Sequence, residues 1–179
     1  MALHLEPISR IHRPLLANFQ NPQTTLVEYL QRYALRHTEK DRLARTWLAM
    51  DEDLGTLRLA GYFSLATVSV ERAAAARLPA LDRLPRFPIP GILLARLAVD
   101  SRVRGQGLGR YLFEEALGLT LQLAQTGPVA FRLLVTDAMD EAAARFYTHF
   151  GLTALGEAFP CRMVLDLNPL LASSLPSVE

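Results

Sequence analysis

The sequence predicts a mixed α/β domain built around one sheet. Segments rich in Tyr, Phe, Thr and Val come first along the chain, and a strand–helix–strand–helix–strand order follows. This order is typical of a single sheet with helices packed against it. The chain has 179 residues, of which 50% are hydrophobic, and this is enough for one domain with a full core. We expect the domain to span residues 1–170 and the tail 171–179 to be frayed and flexible.

The first half is predicted to form an antiparallel meander with one early helix. His4–Ser9 is the first predicted strand, and Asn21-Pro22 predicts a helix start, with Asn21 as the N-cap and Pro22 as the first helical residue. Side chains at core spacing follow on one helix face: Leu26, Tyr29, Leu30, Tyr33, Ala34 and His37. Residues 42–50 lead into a strand, 51–55 form a hairpin turn, and 57–70 form a long strand.

The second half alternates strands and helices after an irregular arm. Residues 71–90 contain an Ala-rich run and then prolines at positions 79, 85, 88 and 90, which predict a short helix and an arm over one face of the sheet. The predicted elements that follow are strand 91–99, helix 107–125, strand 129–136, helix 140–149 and strand 162–167. Asn168-Pro169 is expected to end the ordered fold.

Composition excludes several classes of protein. The single cysteine, Cys161, cannot form an internal disulfide framework, and no Cys/His cluster has the spacing of a metal site, so we expect no metal. No apolar run is long enough to cross a bilayer, and the start of the chain lacks the regions of a signal peptide. We therefore expect a cytoplasmic protein. The net charge of +1 argues against non-specific binding to nucleic acid.

A Gly-rich turn after the strand 91–99 is the most informative segment. Arg102-Val-Arg-Gly-Gln-Gly-Leu-Gly109 joins a buried strand to an amphipathic helix. Glycines let the backbone approach a ligand, and the free N–H groups at a helix start favour an anion. A P-loop requires a Lys-Ser/Thr pair, and a dinucleotide fingerprint requires its first glycine directly after the strand; neither is present here. The turn therefore indicates a diphosphate site of a third kind.

This turn resembles the coenzyme A loop of the GNAT superfamily of N-acetyltransferases. The resemblance implies a sheet whose two central parallel strands splay apart, acetyl-CoA as the cofactor, and a pantetheine arm that lies between those strands. The arm would pair with main-chain groups at the end of the strand, and the diphosphate would lie on N–H groups of the turn, with Arg102 or Arg110 reaching phosphate. The implied coenzyme residues are Leu97, Ala98, Val99, Arg102, Arg104, Gly105, Gln106, Gly107, Leu108, Gly109 and Arg110.

A second motif supports the same family. Asp140-Glu-Ala-Ala-Ala-Arg-Phe-Tyr-Thr-His-Phe-Gly151 reads as a short helix with Asp140 as its N-cap and Gly151 as its C-terminal stop. It resembles the late GNAT motif, which implies that Asp140 and Phe146 belong to the coenzyme site and that Tyr147 lies near the coenzyme sulfur. We expect Tyr147 to donate a proton, or at least a hydrogen bond, to the leaving thiolate.

No residue in the sequence stands out as a general base. A lysine amine has a pKa of about 10.4 and must be deprotonated before it can attack, whereas an α-amine, near 7.7–8.0, is already partly neutral at cellular pH. The missing base therefore favours an α-amine as the acceptor, although a chain of water molecules could serve instead.

The chain also resembles the toxin branch of the superfamily, whose members acetylate the α-amine of aminoacyl-tRNA within toxin–antitoxin modules. The run Arg96-Leu-Ala-Val-Asp100 and the proline-rich residues 85–90 before it carry the resemblance. It implies a ribbon-helix-helix antitoxin as partner and a homodimer with a basic tRNA groove. The candidate substrate residues are Arg32, Arg36, Arg42, Arg45 and Arg96, although the first four could equally form a solvated face.

Two other functions remain open at this point. One is acetylation of a small amine or of a protein N-terminus. The other is a fold that only binds coenzyme A or a protein partner, which the complete diphosphate turn and Tyr147 disfavour.

Overall fold

The computed structural model describes residues 3–53 and 56–173 of the chain. The fold divides into two compact units: Met1–Ala66 with Ala95–Ala116, and Thr67–Leu94 with Leu117–Glu179. Residues 54 and 55 of the predicted hairpin turn, and 174–179 of the predicted tail, lie outside the described residues.

Seven strands form one mostly antiparallel sheet with the order β1-β2-β3-β4-β5-β7-β6. The strands are β1 (Leu3–Pro7), β2 (Arg45–Asp53), β3 (Thr56–Val70), β4 (Ile89–Val99), β5 (Leu133–Ala138), β6 (Thr153–Ala154) and β7 (Cys161–Asp166). β4 and β5 run parallel, from Gly91 opposite Leu133 to Leu94 opposite Thr136. The pairs β1–β2, β2–β3, β5–β7 and β6–β7 are antiparallel. The predicted mixed α/β class is confirmed, and the splaying of the parallel pair stays a prediction.

The α-helices are α1 (Arg13–Leu16), α2 (Thr24–Glu28), α3 (Ala34–Arg36), α4 (Leu108–Thr126), α5 (Glu141–His149) and α6 (Asn168–Ser173). Turns of π-helix, Tyr29–Tyr33 and His37–Asp41, follow α2 and α3. No helix of the described residues is long and apolar enough to span a membrane.

The core of the first unit is covered by the early helical segment, Thr24–Asp41, which comprises α2, α3 and the two turns of π-helix. Phe19, Tyr29, Leu30 and Tyr62 are buried together there, and the Phe19 ring meets the edge of Tyr62 at 5.5 Å between centroids. The periodicity that predicted a buried helix face is therefore confirmed for Tyr29, whereas Tyr33 is 44% exposed. Ala34, a later residue of the same predicted face, is fully buried, so the face continues past the π-helical turn and Tyr33 lies at its exposed edge.

The predicted start of the early helix is wrong. The helix begins at Thr24, and its N-cap is Gln23 rather than Asn21. The Asn21 carboxamide oxygen accepts the Gln23 N–H at 2.9 Å, while its amide donates to the Val99 carbonyl at 2.9 Å. The bond to the Gln23 N–H has the geometry of an N-cap, but the backbone of Gln23 is extended, with φ −82° and ψ +96°, so the helix begins only at Thr24.

In the second unit a few apolar side chains anchor the proline-rich arm, and most of its described residues are exposed. Residues 71–90 form two turns of 3₁₀-helix, Ala74–Arg77 and Pro79–Leu81, where a short helix was predicted. Leu81 is fully buried in a cluster that includes Val70, Leu133 and Val164.

The predicted end of the fold at Asn168-Pro169 is also wrong. Asn168 begins α6, where its N–H donates to the Asp166 carboxylate at 3.1 Å. Proline is compatible with the first turn of a helix because no intrahelical N–H bond is needed there.

Candidate functional site

The Gly-rich turn joins β4 to the start of α4 and requires its glycines. Gly105 and Gly107 have φ values of +77° and +79°, in the region that side chains with a Cβ rarely adopt. An added Cβ at either position would meet nothing within 4 Å, so the constraint comes from the backbone and not from crowding. Val103 and Leu108 anchor the turn in a small core cluster with Ala60.

A cavity of about 360 Å³ in the first unit brings eight of the predicted coenzyme residues together, whereas Arg102, Gln106, Arg110, Asp140 and Phe146 are not among its lining residues. Its predicted lining residues are Leu97, Ala98, Val99, Arg104, Gly105, Gly107, Leu108 and Gly109. The first N–H groups of α4 have no intrahelical acceptor by geometry, which makes this helix start suitable for an anion. The remaining lining residues are Asn21, Gln23 and Leu26.

The sequence did not single out Asn21, Gln23 or Leu26 as cavity residues. The Asn21 amide lies on the Val99 carbonyl, 78 positions later in the chain. The Leu26 carbonyl accepts the buried Tyr62 hydroxyl at 2.7 Å. No local pattern could reveal these contacts, because each joins segments distant in sequence.

The Asp100 carboxylate at the end of β4 is 1% exposed and accepts several hydrogen bonds. Its donors are the Gln20 N–H at 3.0 Å, the Arg102 N–H at 2.9 Å, and Arg102 Nε and Nη2, each at 2.8 Å. Burial on its own raises the pKa of Asp100, but the hydrogen bonds from Arg102 and Gln20 outweigh it and hold the pKa below its ordinary value.

The predicted phosphate contacts of two arginines compete with other partners. The Arg102 guanidinium is engaged by Asp100 and also donates to the Asn18 carbonyl at 3.0 Å. Arg110 Nε donates to Glu114 at 2.7 Å on the exposed side of α4. A role in phosphate binding would require either side chain to share these bonds, so the main-chain N–H groups are the better candidates.

Tyr147 lies in α5 of the second unit and is buried. Asp140 caps this helix, with its carboxylate accepting the Ala143 N–H at 2.8 Å, and Gly151 ends it with a φ of +88°. Burial raises the pKa of the Tyr147 phenol, and a hydrogen bond with Thr136 offsets part of that shift. Tyr147 is therefore a protonated phenol at neutral pH. Phe146 packs its edge on Tyr147 at 5.2 Å between ring centroids.

The predicted substrate arginines do not all lie together. Arg32 and Arg36 line a cleft of about 720 Å³ in the first unit, together with Arg10, Arg13 and Lys40. The carboxylate of Glu39 also lines this cleft and pairs with Arg10 at 3.1 Å. Glu28 and Asp41 pair with Arg32 and Arg36, so the positive charge of the cleft is partly offset.

The other three arginines lie outside this cleft. Arg42 ends the early helical segment with a φ of +52°, and Arg45 begins β2. The Arg96 guanidinium lies over the ring of Tyr29.

Known proteins similar to this chain are acetyltransferases and toxins. Residues 42–152 match the acetyltransferase (GNAT) domain family. A tRNA-acetylating toxin of Mycobacterium tuberculosis (strain ATCC 25618 / H37Rv) is 31% identical over 135 residues, which make up 75% of this chain and 76% of that protein.

Solved structures of AtaT have the same fold. AtaT complexed with acetyl-methionyl-tRNAfMet has a TM-score of 0.83 at 22% identity and covers 96% of this chain and 99% of its own. A mutant AtaT bound to the C-terminus of the antitoxin AtaR and acetyl-CoA has a TM-score of 0.75 at 21% identity and covers 97% and 99%.

Proposed function

The chain belongs to the GNAT family of acetyltransferases, and from this membership we propose that it moves the acetyl group of acetyl-CoA to the α-amine of aminoacyl-tRNA. The observation that carries the coenzyme part is the cavity that unites the Gly-rich turn with the end of β4. The acceptor part is supported by the 31% identity to a tRNA-acetylating toxin.

The main chain of the Gly-rich turn is assigned to the diphosphate. The N–H groups of residues 104–109 carry no charge of their own, but the start of α4 favours an anion by about 0.3–1 kcal/mol. Leu97, Ala98 and Val99, at the end of β4, are assigned to the pantetheine arm through main-chain groups. The Val99 carbonyl accepts the Asn21 amide at 2.9 Å, so pairing of the arm with this atom would have to share that bond.

The bound coenzyme would supply a thioester. The amine nitrogen would form an amide bond to the thioester carbonyl carbon, the carbon–sulfur bond would break, and the proton lost by the amine would balance the charge of the leaving thiolate. Tyr147 is assigned to hydrogen-bond the leaving sulfur. A thiol has a pKa of about 8.5 and a phenol about 10, so complete proton transfer from Tyr147 is uphill, and burial of this phenol makes it more so. Stabilisation of the thiolate by a hydrogen bond is the role that this pKa allows.

The cleft lined by Arg10, Arg13, Arg32, Arg36 and Lys40 is assigned to the phosphate backbone of tRNA. Arginine forks bind phosphate oxygens in pairs, and each neutralised phosphate releases counterions. On binding, the arginines of the cleft would exchange their acidic partners for phosphate. Arg42, Arg45 and Arg96 do not line this cleft, so their predicted substrate role has weaker support.

The partners and place of action follow from the same assignment. The AtaT structure with the AtaR C-terminus supports an antitoxin as partner, and a ribbon-helix-helix antitoxin stays our expectation. A homodimer is likewise expected from the family resemblance. A protein that acts on aminoacyl-tRNA would work in the cytoplasm.

Acetylation of a small amine or a protein N-terminus is the second candidate, favoured by the net charge of only +1. The two are separated by incubating the protein with labelled acetyl-CoA and, in parallel, charged tRNA, deacylated tRNA and a panel of amines. The proposal expects label on charged tRNA alone. Label on an amine, with none on charged tRNA, would contradict the tRNA assignment and leave the acetyltransferase intact.

A further inference from the structure

We propose that Asp100 is a positioning residue whose buried carboxylate holds together the two walls of the coenzyme cavity. One wall is the Gly-rich turn. The other is the early segment, residues 18–26, which contributes Asn21, Gln23 and Leu26. The proposal rests on the assignment of this cavity to acetyl-CoA.

The early segment is tied to the end of β4 through Gln20. The Gln20 N–H donates to the Asp100 carboxylate at 3.0 Å. Its carbonyl in turn accepts the N–H of Ser101 at 2.9 Å and the Ser101 hydroxyl at 3.0 Å. With the Asn21 amide on the Val99 carbonyl, these bonds fix the early segment to the three residues 99–101. Asp100 thereby sets where the Asn21 wall begins.

The Gly-rich turn is tied to the same carboxylate through Arg102. The guanidinium uses two nitrogens on the two oxygens of Asp100, and the Arg102 N–H adds a third bond. The same guanidinium donates to the Asn18 carbonyl, so Arg102 also bonds the early segment directly. Beyond Arg102 the chain enters the residues that line the cavity, Arg104, Gly105, Gly107, Leu108 and Gly109. The path of the turn therefore depends on how Asp100 holds its first residues.

Asp100 is itself fixed in the sheet. Its N–H donates to the Ala60 carbonyl of β3 at 2.8 Å, and its carbonyl accepts the Val103 N–H at 3.1 Å. The buried, ionised carboxylate accepts four hydrogen bonds and thereby fixes the positions of its donors. A neutral side chain of the same shape, such as Asn, cannot accept all four. This is why we assign the role to the carboxylate and not to the residue's shape.

The test compares Asp100→Asn with Asp51→Asn. Asp51 is a second fully buried carboxylate of the same unit, paired with Arg58 Nη2 at 2.9 Å, and it does not line the cavity. Loss of bonds to a charged acceptor predicts that Asp100→Asn weakens acetyl-CoA binding about tenfold or more, measured by calorimetry well below the melting temperature. The affinity of Asp51→Asn for acetyl-CoA should stay within about twofold of wild type, even if its melting temperature falls as far as that of Asp100→Asn. Equal affinity of the two variants would overturn the proposal.

Two further variants test the two walls one at a time. They also keep the proposal testable if Asp100→Asn does not fold. Arg102→Lys keeps the charge but loses the fork, and we expect weaker acetyl-CoA binding with an unchanged KM for the acceptor. Asn21→Ala loses the amide bond to the Val99 carbonyl, and we expect it to weaken acetyl-CoA binding as well, with an unchanged KM for the acceptor. If the variants lower only the folded fraction of the protein and leave the affinity of the folded protein for acetyl-CoA unchanged, Asp100 has a merely structural role and the proposal is contradicted.

The coenzyme measurement is independent of the acceptor. If wild type binds acetyl-CoA but acetylates no charged tRNA, the acceptor assignment fails and the positioning role can still be decided. If wild type binds no acetyl-CoA, both fail.

Discussion

The guanidinium carbon of Arg96 lies 3.6 Å from the centroid of the Tyr29 ring. Tyr29 in turn stacks with Tyr62 at 6.3 Å between centroids, and the Tyr62 hydroxyl donates to the carbonyl of Leu26, which lines the cavity that we assign to the coenzyme. Burial raises the pKa of Tyr62 far above its ordinary value, and the charge of Arg96 opposes part of that rise. Arg96 is therefore linked through Tyr29 and Tyr62 to Leu26, one of the residues that line the cavity.

Replacement of Arg96 by Lys is expected to destabilise the protein. Lysine keeps the charge but loses the flat face that stacks on the ring, and we expect a loss of about 0.5–2 kcal/mol in the free energy of unfolding, measured with urea. Tyr29→Phe keeps the ring face and gives up only a 3.5 Å contact of the hydroxyl with Thr46, so it should cost less. A larger loss for Tyr29→Phe would show that the hydroxyl matters more than the stacking.

Removal of the Tyr147 hydroxyl is expected to slow acetyl transfer without weakening coenzyme binding. A lost hydrogen bond to the developing thiolate predicts a fall in kcat of about 10²–10³ in Tyr147→Phe. Acetyl-CoA affinity should be unchanged by calorimetry. Tyr33→Phe is the matched control, since Tyr33 is 44% exposed. A Tyr147→Phe enzyme with wild-type kcat would remove this residue from the mechanism.

Two glycines of the chain should respond to alanine in opposite directions. Gly107→Ala places a Cβ at a φ of +79° and should cost about 1–2 kcal/mol of stability, together with acetyl-CoA affinity. Gly118 lies inside α4 with no atom within 4 Å of an added Cβ, so Gly118→Ala should stabilise by about 0.5–1 kcal/mol. Thermal melting with and without acetyl-CoA checks both. A Gly107→Ala variant that is as stable as wild type would contradict the backbone argument.

Asp100 should make stability depend on pH in the acid range. Its folded pKa is lowered, so its stabilising contribution is present above the unfolded pKa of about 3.9 and is lost as pH falls through the lower folded pKa. The difference in unfolding free energy between wild type and Asp100→Asn should be constant from about pH 7 to 5 and shrink below about pH 4. Urea titrations at each pH measure it. A difference that stays constant down to pH 3 would mean that the carboxylate charge contributes nothing.

Loss of a cleft arginine should weaken tRNA binding and reduce its salt dependence. Each phosphate contact removed by Arg32→Ala or Arg36→Ala is expected to lower the slope of log affinity against log salt by about 0.7–0.9. Arg145 is a matched control, because it is an exposed arginine of α5 paired with Glu141 in the same i,i+4 manner as Arg32 with Glu28. Equal slopes for Arg32→Ala and Arg145→Ala, by filter binding, would exclude the cleft as a phosphate site.

The parts of the fold that could be predicted from the sequence depend on local chemistry. Gly105 and Gly107 predict a turn because glycine adopts positive φ values without steric strain. Asp140 predicts the start of α5 because its capping hydrogen bond is to a residue only three positions later. These signals located the turn and the starts of α4 and α5, whereas the parallel pairing of β4 with β5 was implied by the family resemblance.

The parts that the sequence did not reveal depend on contacts between distant segments. Asn21 looked like a helix cap because Asn-Pro is a common helix start, but its amide is held by Val99 at a separation of 78 positions. Arg102 looked like a free phosphate ligand because Asp100 was read as the end of a strand and not as a buried acceptor. Nothing in the local pattern distinguishes these alternatives, since tertiary hydrogen bonds decide them.

The most direct test of the central claim is mass spectrometry of the aminoacyl-adenosine released by nuclease from charged tRNA after incubation with the protein and acetyl-CoA. We predict an added mass of one acetyl group on the α-amine, present with wild type and strongly reduced with Tyr147→Phe. An unmodified aminoacyl-adenosine, from wild-type protein that binds acetyl-CoA, would contradict the account.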